Sequence, residues 1–288
     1  MKKKIDIYKM VTDEIIAALE AGVKPWEKSW SVDGCVALRH NGKPYRGINQ
    51  LLLWMRGRDN PYWMTYRQAK EYGGQVRSGE KSSISTFFKM LKMKDKVTEE
   101  VIKIPLLKRS SVFNAEQIDD LPERFYPQER EIINLDQRDA EVEDFMASTR
   151  AEIRHGGSKA FFSPHEDFVQ MPKFEKFEDG EAYYATLLHE LGHWTGHEKR
   201  LDRNLKNSFG SKDYAREELV AELAAAMMSA KLGVSAKPRA DHASYLDGWL
   251  KVLKEDKRAI FRAASMAQRA SDYLIDLVET NREEKKAA

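Results

Sequence analysis

The sequence predicts an α+β protein with two domains, and three observations lead to this prediction. The chain has 288 residues, 42% hydrophobic and 33% charged, which is enough for two hydrophobic cores. Residues 1–110 hold 22 basic and 12 acidic residues, a net charge of +10, so the rest of the +2 chain carries −8. Helical and β-rich stretches follow one another in the basic part, whereas the acidic part is dominated by helical periodicity.

The basic part begins with an amphipathic helix, expected over residues 5–20. Its apolar residues recur at intervals of three and four from Tyr8 to Leu19, and Gly22 ends the pattern. The later elements are a short apolar helix around residues 51–55, a capped helix that begins at Thr65, and β-rich stretches near residues 84–90 and 97–112. This mixture predicts an α+β domain.

A polar stretch separates the two parts. Residues 119–130 contain two prolines and no periodicity, so we place a first domain at 1–120, a linker at 121–140 and a mainly helical domain with a small sheet at 141–288. In that second domain, residues 159–172 resemble two short strands around a Ser-Pro turn. Their edge would either hold an extended peptide by strand addition or form an ordinary core hairpin.

The central motif of the second domain is HExxH, formed by His189, Glu190 and His193. On a helix, the two imidazoles lie one turn apart and can close on one metal ion. The neighbouring positions support a helix, because the apolar residues from Tyr184 to Leu191 gather on the opposite side. The motif therefore predicts a zinc-dependent hydrolase, with a peptidase as the first hypothesis.

A catalytic zinc normally has three protein ligands and one open position, so a third ligand is required. The metzincin signature places a histidine ten residues after the first, but this chain has Lys199 there. His197 lies one turn beyond His193, yet three ligands in a row along one helix cannot surround a tetrahedral ion. We expect His197 to contact substrate or make a structural hydrogen bond near the ligands instead.

An alanine-rich helix, predicted over residues 214–233, supplies a better third ligand. Glu218 and Glu222 share one face of it with small residues, which permit close approach to a neighbouring helix. We assign Glu218 as the ligand, with Glu222 as the next choice or as a hydrogen-bond partner of a ligand imidazole. Glu217 is expected to point elsewhere. The alternative interpretation is an acidic face in solvent.

The chemistry of this site follows from charge. Zinc lowers the pKa of its bound water to about 7, and Glu190 is the base that takes the proton and later passes it to the leaving amine. No residue of the sequence is recognisable as the one that stabilises the oxyanion.

Composition limits where the protein acts. No apolar run approaches a membrane span, and the basic N-terminus is not followed by a hydrophobic signal region, so we expect a cytoplasmic protein. The single Cys35 excludes an internal disulfide and a cysteine-based zinc site, and we interpret it as a small buried residue.

Aromatic and basic residues are interleaved in the first domain. Single-stranded DNA favours this combination, because bases stack on aromatic rings while Lys and Arg neutralise phosphates. The alternative is that half or more of these aromatic residues belong to the core. The candidate contacts, chosen for their polar and turn-like surroundings, are Lys24, Trp26, Trp30, Tyr45, Arg46, Arg67 and Lys81.

Several segments together resemble the ArdC-type antirestriction proteins of conjugative plasmids. They are residues 23–30, 44–49, 76–81, 112–117, 189–197 and 200–203. The resemblance implies an N-terminal single-stranded-DNA-binding domain, as at the start of TraC-type plasmid primases, and a zincin-like metallopeptidase domain similar to SprT-type proteases. It also implies protection of incoming DNA from host restriction, and it carries the metal site onto His189, Glu190, His193 and Glu218.

Two functions remain open. The first is a DNA-targeted metallopeptidase that cuts an unidentified protein met on the strand. The second is a DNA-binding protein that shields the strand while its metal site is only structural. Substitution of Glu190 by Gln separates them, because it removes the base and keeps the ligands.

Overall fold

The computed structural model describes residues 5–26, 36–94, 101–126, 139–205, 208, 210–234 and 242–287. The helices in these ranges are α1 (Ile7–Glu20), α2 (Ile48–Trp54), α3 (Tyr66–Glu71), α4 (Ala140–Ser148), α5 (Gly180–Trp194), α6 (Lys212–Leu232), α7 (His242–Glu255) and α8 (Ala259–Ala287). The strands are β1 (Leu38–Arg39), β2 (Tyr62–Met64), β3 (Gln75–Val76), β4 (Ser83–Lys94), β5 (Val101–Asn114), β6 (Ile118–Asp119), β7 (Glu152–His155), β8 (Phe161–Ser163) and β9 (Phe168–Met171). The α+β class is confirmed.

The N-terminal half is built on a four-stranded sheet in the order β1-β2-β5-β4. Strands β4 and β5 form a long antiparallel hairpin whose register runs from Ser83 opposite Val112 to Lys94 opposite Val101. Asn49 of α2 ties the base of the hairpin to the body, because its side chain bonds both the N–H and the C=O of Thr86, at 2.6 and 2.9 Å. Both β-rich predictions are confirmed, with β4 ending four residues and β5 two residues later than predicted.

Helix α1 begins at the N-cap Asp6 and buries Val11, Ile15 and Leu19, as its periodicity predicts. The surface that it covers belongs to the C-terminal half. The Tyr8 ring lies edge-on against Phe261 of α8, with 4.8 Å between the ring centroids. The two halves are therefore joined through this helix.

One hydrophobic core spans both halves of the molecule. It contains residues of α1 and α2 together with residues of α6, α7 and α8. Trp26, just after α1, packs against Trp249 of α7 at 5.7 Å between centroids. At the start of α2, the backbone N–H of Gly47 donates to the Gln268 side chain at 2.9 Å. The helices of the basic half thus complete a core of the acidic half, and a further core lies within each half.

The polar stretch predicted as a linker is partly structured. Leu121 and Phe125 are buried in a small core with Met64 and Ile118, and a short 3-10 helix covers Glu123–Phe125. Residues 127–138 lie outside the described ranges, as does Cys35, and Asp139 caps α4. The boundaries 1–120, 121–140 and 141–288 stay a prediction.

The C-terminal half combines helices α4 to α8 with a small sheet in the order β7-β9-β8. Strands β8 and β9 are the two short strands predicted around the Ser-Pro turn, and β8 lies at the sheet edge. Helices α5 and α6 pack side by side through Leu188, Leu191, Ala225 and Met228 in a second core. Within the described ranges, no helix has both the length and the apolar character that a bilayer span requires.

Candidate metal centre

Helix α5 holds the HExxH residues rigidly. The side chain of Asp179 caps its first turn by accepting from the N–H of Ala182 at 2.9 Å. Tyr184, Leu187, Leu188 and Leu191 are buried on its apolar side, as predicted. An apolar side that is fixed in the core limits rotation of the opposite side, where the histidines lie.

The close approach of α5 and α6 brings the second helix to the histidines. A Cβ on Gly192 would lie 3.1 Å from both the Cα and the carbonyl oxygen of Ala221, so only glycine fits without displacing backbone. Since Ala221 is one turn from Glu218, this contact places the Glu218 carboxylate beside both imidazoles. Gly192, inside the HExxH motif, thus allows α5 to pack closely on α6, a role that the spacing of the motif does not indicate.

The side chains of His189, His193 and Glu218 form a compact cluster that could hold a metal ion. The two Nε2 atoms are 3.1 Å apart, and each lies 3.4 Å from one oxygen of Glu218. A tetrahedral zinc with bonds of about 2.0–2.2 Å would separate its ligand atoms by about 3.4 Å. These separations are near those that one such ion requires, and Glu218 offers a different oxygen to each imidazole.

Two further carboxylates orient the imidazoles. The Nδ1 of His189 lies 3.2 Å from Glu222, and the Nδ1 of His193 lies 3.2 Å from Glu217. An ionised carboxylate only accepts hydrogen bonds, so each Nδ1 must carry the hydrogen. Each Nε2 is then left to offer its lone pair, as a metal-ligating histidine requires.

Arg203 fixes Glu217 in place, and this corrects the expectation that Glu217 points elsewhere. Its guanidinium donates to both Glu217 oxygens at 2.8 and 3.0 Å, and also to the carbonyl oxygen of Gly192 at 2.6 Å. A Cβ on Gly196 would lie 2.8 Å from Nη2 of Arg203, so the glycine makes room for the guanidinium. The helix does place Glu217 on a different face from Glu218, as expected. That face, however, is directed toward His193.

Charge in the cluster favours a cation. Burial would lower the pKa of His193, but its hydrogen bonds to Glu217 and Glu218 outweigh burial and raise that pKa to about 10. Burial would raise the pKa of Glu218, and the hydrogen bonds from His189 and His193 hold it well below its usual range. Without a metal ion, the surrounding carboxylates therefore keep a proton on His193, in the position where a divalent ion would bind.

A cavity of about 320 Å³ opens over the cluster. Glu190 lines it and is not one of the three clustered donors. The cavity lining also includes Phe161 and Phe162 of edge strand β8 and Tyr214 of α6. Residues of edge strand β8, the three donors and Glu190 thus line one cavity.

Tyr214 is a site residue that the sequence reasoning missed. Its hydroxyl lies 3.3 Å from that of Tyr245 on α7, and burial, followed by this contact, raises its pKa. The available signal was spacing, since Tyr214 precedes Glu218 by four residues and therefore shares its helical face. Tyr245 has no comparable signal, because only the tertiary fold brings α7 to the cavity.

His197 lies outside the donor cluster, in agreement with its exclusion as a third ligand. Its Nε2 donates to the carbonyl oxygen of Pro164 at 3.1 Å, and its Nδ1 accepts from the N–H of Lys199 at 3.2 Å. Since Pro164 follows β8 at the cavity rim, His197 fixes that rim to the end of α5. Of the two expectations for His197, the structural hydrogen bond is the one present.

The residues predicted to contact DNA differ in how deeply their side chains are buried. Trp26 and Tyr45 are only 1% and 8% exposed, so neither ring can stack on a base, and both assignments are corrected. Their polar, turn-like surroundings predict surface positions, yet each ring completes a core. Trp30 lies outside the described residues. Arg46 is exposed and paired with Asp272, Arg67 is exposed and paired with Glu71, Lys24 is partly exposed, and Lys81 is exposed.

Comparisons with protein families agree with this arrangement. Residues 140–266 match the model of a zincin-like metallopeptidase, and residues 5–113 match the model of the N-terminal domain of the anti-restriction factor ArdC. The donor cluster and the whole of α5 and α6 fall within the first match. The long hairpin falls within the second, apart from its last residue.

Relatives of known sequence or structure extend over nearly the whole chain. An uncharacterized protein of Sinorhizobium fredii is 40% identical over 93% of this chain and 91% of its own length. The DNA primase TraC of Escherichia coli is 37% identical over 96% of this chain, which spans only 20% of that primase. The crystal structure of the antirestriction protein ArdC from plasmid R388, in its metal-free form, superposes with a TM-score of 0.85 at 44% identity, covering 96% of this chain and 99% of that one. Its Mn(II)-bound form gives 0.80 at 43% identity, covering 95% and 98%.

The fold and the donor cluster thus define a zincin-like protein that carries an additional N-terminal domain. Two findings narrow this class further. Both parts of the chain match family models, and a solved relative is covered almost from end to end. The chain belongs to the ArdC family of antirestriction proteins.

Proposed function

We propose that this chain is a metal-dependent peptidase of the antirestriction family, with His189, His193 and Glu218 as metal ligands. The observation that carries the proposal is an open three-donor site with a separate carboxylate, Glu190, in the same cavity. Structural zinc sites are closed by four protein ligands, whereas catalytic sites keep one position for water or substrate.

The metal is a divalent ion, and the donor set favours zinc. Two imidazoles and one carboxylate form the set found in zinc peptidases. The plasmid R388 relative was crystallised with Mn(II), so manganese is the competing ion. When bound, the ion supplies Lewis acidity, which acidifies water and polarises a carbonyl.

The residues of the chain supply the remaining chemistry. Glu190 takes a proton from the attacking water and returns it to the leaving amine. Strand β8 holds the substrate in an extended form through backbone hydrogen bonds, as exposed sheet edges do. The raised pKa of Tyr214 keeps its hydroxyl protonated, so Tyr214 is our candidate for donating a hydrogen bond to the oxyanion.

Metal content tests the ligand assignment. We expect about one divalent ion per purified chain by elemental analysis. His193→Ala should lose it and Glu190→Gln should keep it. His155→Ala is the matched control, because His155 lies on β7 outside the donor cluster and bonds Tyr183 in the first turn of α5. Full metal content in His193→Ala would overturn the assignment.

We further propose that the N-terminal half binds single-stranded DNA and that the protein acts in the cytoplasm on incoming DNA. The net charge of +10 on residues 1–110 supports this proposal, together with the match to the N-terminal domain of ArdC. The full-length protein should bind an oligothymidylate more tightly than a duplex of equal length, with an affinity that falls as salt rises. Equal affinities, or no salt dependence, would contradict single-strand stacking.

A further inference from the structure

The β4–β5 hairpin is a basic arm. Its two strands contain six cations, Lys89, Lys92, Lys94, Lys103, Lys108 and Arg109, and no carboxylate. Lys89, Lys92 and Lys108 are exposed, and none of the three pairs with a described carboxylate. By contrast, Arg46 and Arg67 are already paired with acids. A local excess of unpaired positive charge is what a polyanion requires.

The same arm exposes large apolar side chains. Phe87, Phe88 and Met90 are 56%, 54% and 44% exposed. Lysines on an edge strand discourage pairing between sheets, and that function would explain the charges of β4 alone. It does not explain exposed phenylalanines, which increase the risk of association. The combination of aromatic rings and unpaired lysines therefore indicates a ligand that needs both.

The register distinguishes the two faces of the hairpin. Phe87 lies opposite Lys108, and the strand alternation places Lys89 on the same face. Phe88 lies opposite Leu107, and its neighbours on the same face of β4 are Thr86 and Met90; of the cations on that face, Arg109 lies diagonally across and Lys92 lies farther along the strand. On the face of Phe87, Lys89 and Lys108, which we name the Phe87 face, an exposed aromatic ring has two exposed lysines as its direct neighbours, one on its own strand and one opposite.

We propose that the Phe87 face of this hairpin binds single-stranded DNA, with a base stacked on Phe87 and phosphates on Lys89 and Lys108. Unpaired bases can stack on an exposed ring, whereas bases in a duplex are already stacked on each other. Beyond Thr86, where Asn49 ties the hairpin to α2, the three residues of this face are all exposed. The proposal rests on single-strand binding by the N-terminal half and assigns its contact surface.

The adjacent phenylalanines provide a matched test in the full-length protein. Affinity for a labelled oligothymidylate is measured by fluorescence anisotropy. Phe87→Ala should raise Kd about tenfold, as expected for loss of one stacked base. Phe88→Ala, equally exposed on the other face, should stay within about twofold, and Phe87→Trp should retain wild-type affinity because it keeps a stacking ring.

Salt dependence tests the lysines separately. The double variant Lys89→Gln/Lys108→Gln should lower the slope of log affinity against log salt by about 1.4, since each phosphate contact on a single strand contributes about 0.7. Lys285→Gln/Lys286→Gln removes the same charge from the far end of α8 and should leave the slope unchanged.

Each contrary outcome has a definite meaning. Equal effects of Phe87→Ala and Phe88→Ala, or an unchanged salt slope in the lysine variant, would overturn the assignment of this face. A change in oligomeric state instead of DNA affinity would identify the face as a contact between copies of the chain, and would also overturn it. Failure of the wild-type protein to bind the oligothymidylate would reject single-strand binding itself.

Discussion

At the scale of residues, the centre is held by ionic pairs that leave little freedom to His193. Arg203 bonds Glu217, Glu217 bonds His193, and the guanidinium also reaches the backbone of α5 at Gly192. The side chains of Arg203 and Glu217 are only 7% and 10% exposed, so this pair lies in a poorly screened environment. The orientation of the His193 imidazole therefore depends on Arg203, a residue that takes no direct part in the chemistry of the site.

Arg203→Met should weaken both the metal site and the fold. It leaves a buried carboxylate without its cation, which costs roughly 3–5 kcal/mol, and loss of such a partner typically lowers metal affinity 10–100-fold. Competitive zinc titration and thermal unfolding measure the two effects. Arg216→Met, on the exposed side of α6, is the control and should change stability by less than about 0.5 kcal/mol. Unchanged zinc affinity in Arg203→Met would show that Glu217 orients His193 without its ion pair to Arg203.

The protonation of His193 predicts how stability of the metal-free protein depends on pH. Its pKa rises from 6.5 to about 10 on folding, so its stabilising contribution is complete below pH 6.5 and is lost as pH rises through about 10. Glu217 and Glu218 have lowered pKa values, and their contributions are lost on the acidic side, as pH falls below 4.5. In a chelator, the Tm should therefore fall as pH rises from 7 to 10.

A bound divalent ion should reduce this alkaline loss, because it replaces the proton on His193. Differential scanning fluorimetry with chelator and with excess zinc compares the two states. Parallel Tm profiles on the alkaline side would mean that the ion does not bind at His193.

At the scale of elements, the contact between α5 and α6 determines whether Glu218 reaches the histidines. Gly192→Ala places a Cβ 3.1 Å from backbone atoms of Ala221, and such overpacking typically costs about 1–3 kcal/mol. We expect a lower Tm and weaker metal binding, although alanine favours helix by about 1 kcal/mol over glycine.

The double variant Gly192→Ala/Ala221→Gly distinguishes the cause of this effect. Because the clash is with the Cα and carbonyl oxygen of residue 221, removal of its Cβ should not restore stability. Full recovery of Tm and zinc binding in the double variant would show that side-chain volume, rather than backbone spacing, limits the helix contact.

The elements of the centre and the contact of Glu222 with a histidine were predictable from sequence, whereas the roles of Arg203 and Tyr245 were not. Periodicity and the HExxH spacing predicted α5, and the small-residue face of α6 predicted that Glu218 approaches it. The roles of Arg203 and Tyr245 depend on the turn after α5 and on the packing of α7, which no local pattern encodes. Trp26 and Tyr45 show that a local pattern can also mislead. Their polar neighbours predict exposure, but both rings are buried in cores built from distant parts of the chain.

At the scale of the whole molecule, the two halves are parts of one packed structure. The shared core includes Val11, Ile15 and Leu19 from α1 with Ile260 and Ala264 from α8. Across the same boundary, Lys257 pairs with Asp6 and Lys254 pairs with Glu20. The opposite net charges of the halves are thus accompanied by direct contacts between them.

This shared core predicts that a fragment ending at residue 120 is less ordered than the same residues in the full chain. It would expose the apolar face of α1 and the buried ring of Trp26 to water. We expect lost near-ultraviolet circular dichroism and a tendency to aggregate. A fragment that unfolds cooperatively and remains monomeric would show that the N-terminal half needs no partner, and would support independent domains.

The most direct test of the account is a conjugative transfer assay into a restricting host, comparing the wild-type protein with Glu190→Gln. The variant keeps the ligands, side-chain shape and N-terminal half, and its metal content and oligothymidylate affinity should match the wild type. If the centre acts as a peptidase, the variant should fail to protect incoming DNA in the restricting host, while transfer into a non-restricting host is unchanged. Full protection by a metal-loaded, DNA-binding Glu190→Gln protein would contradict catalysis and identify the chain as a shield for DNA.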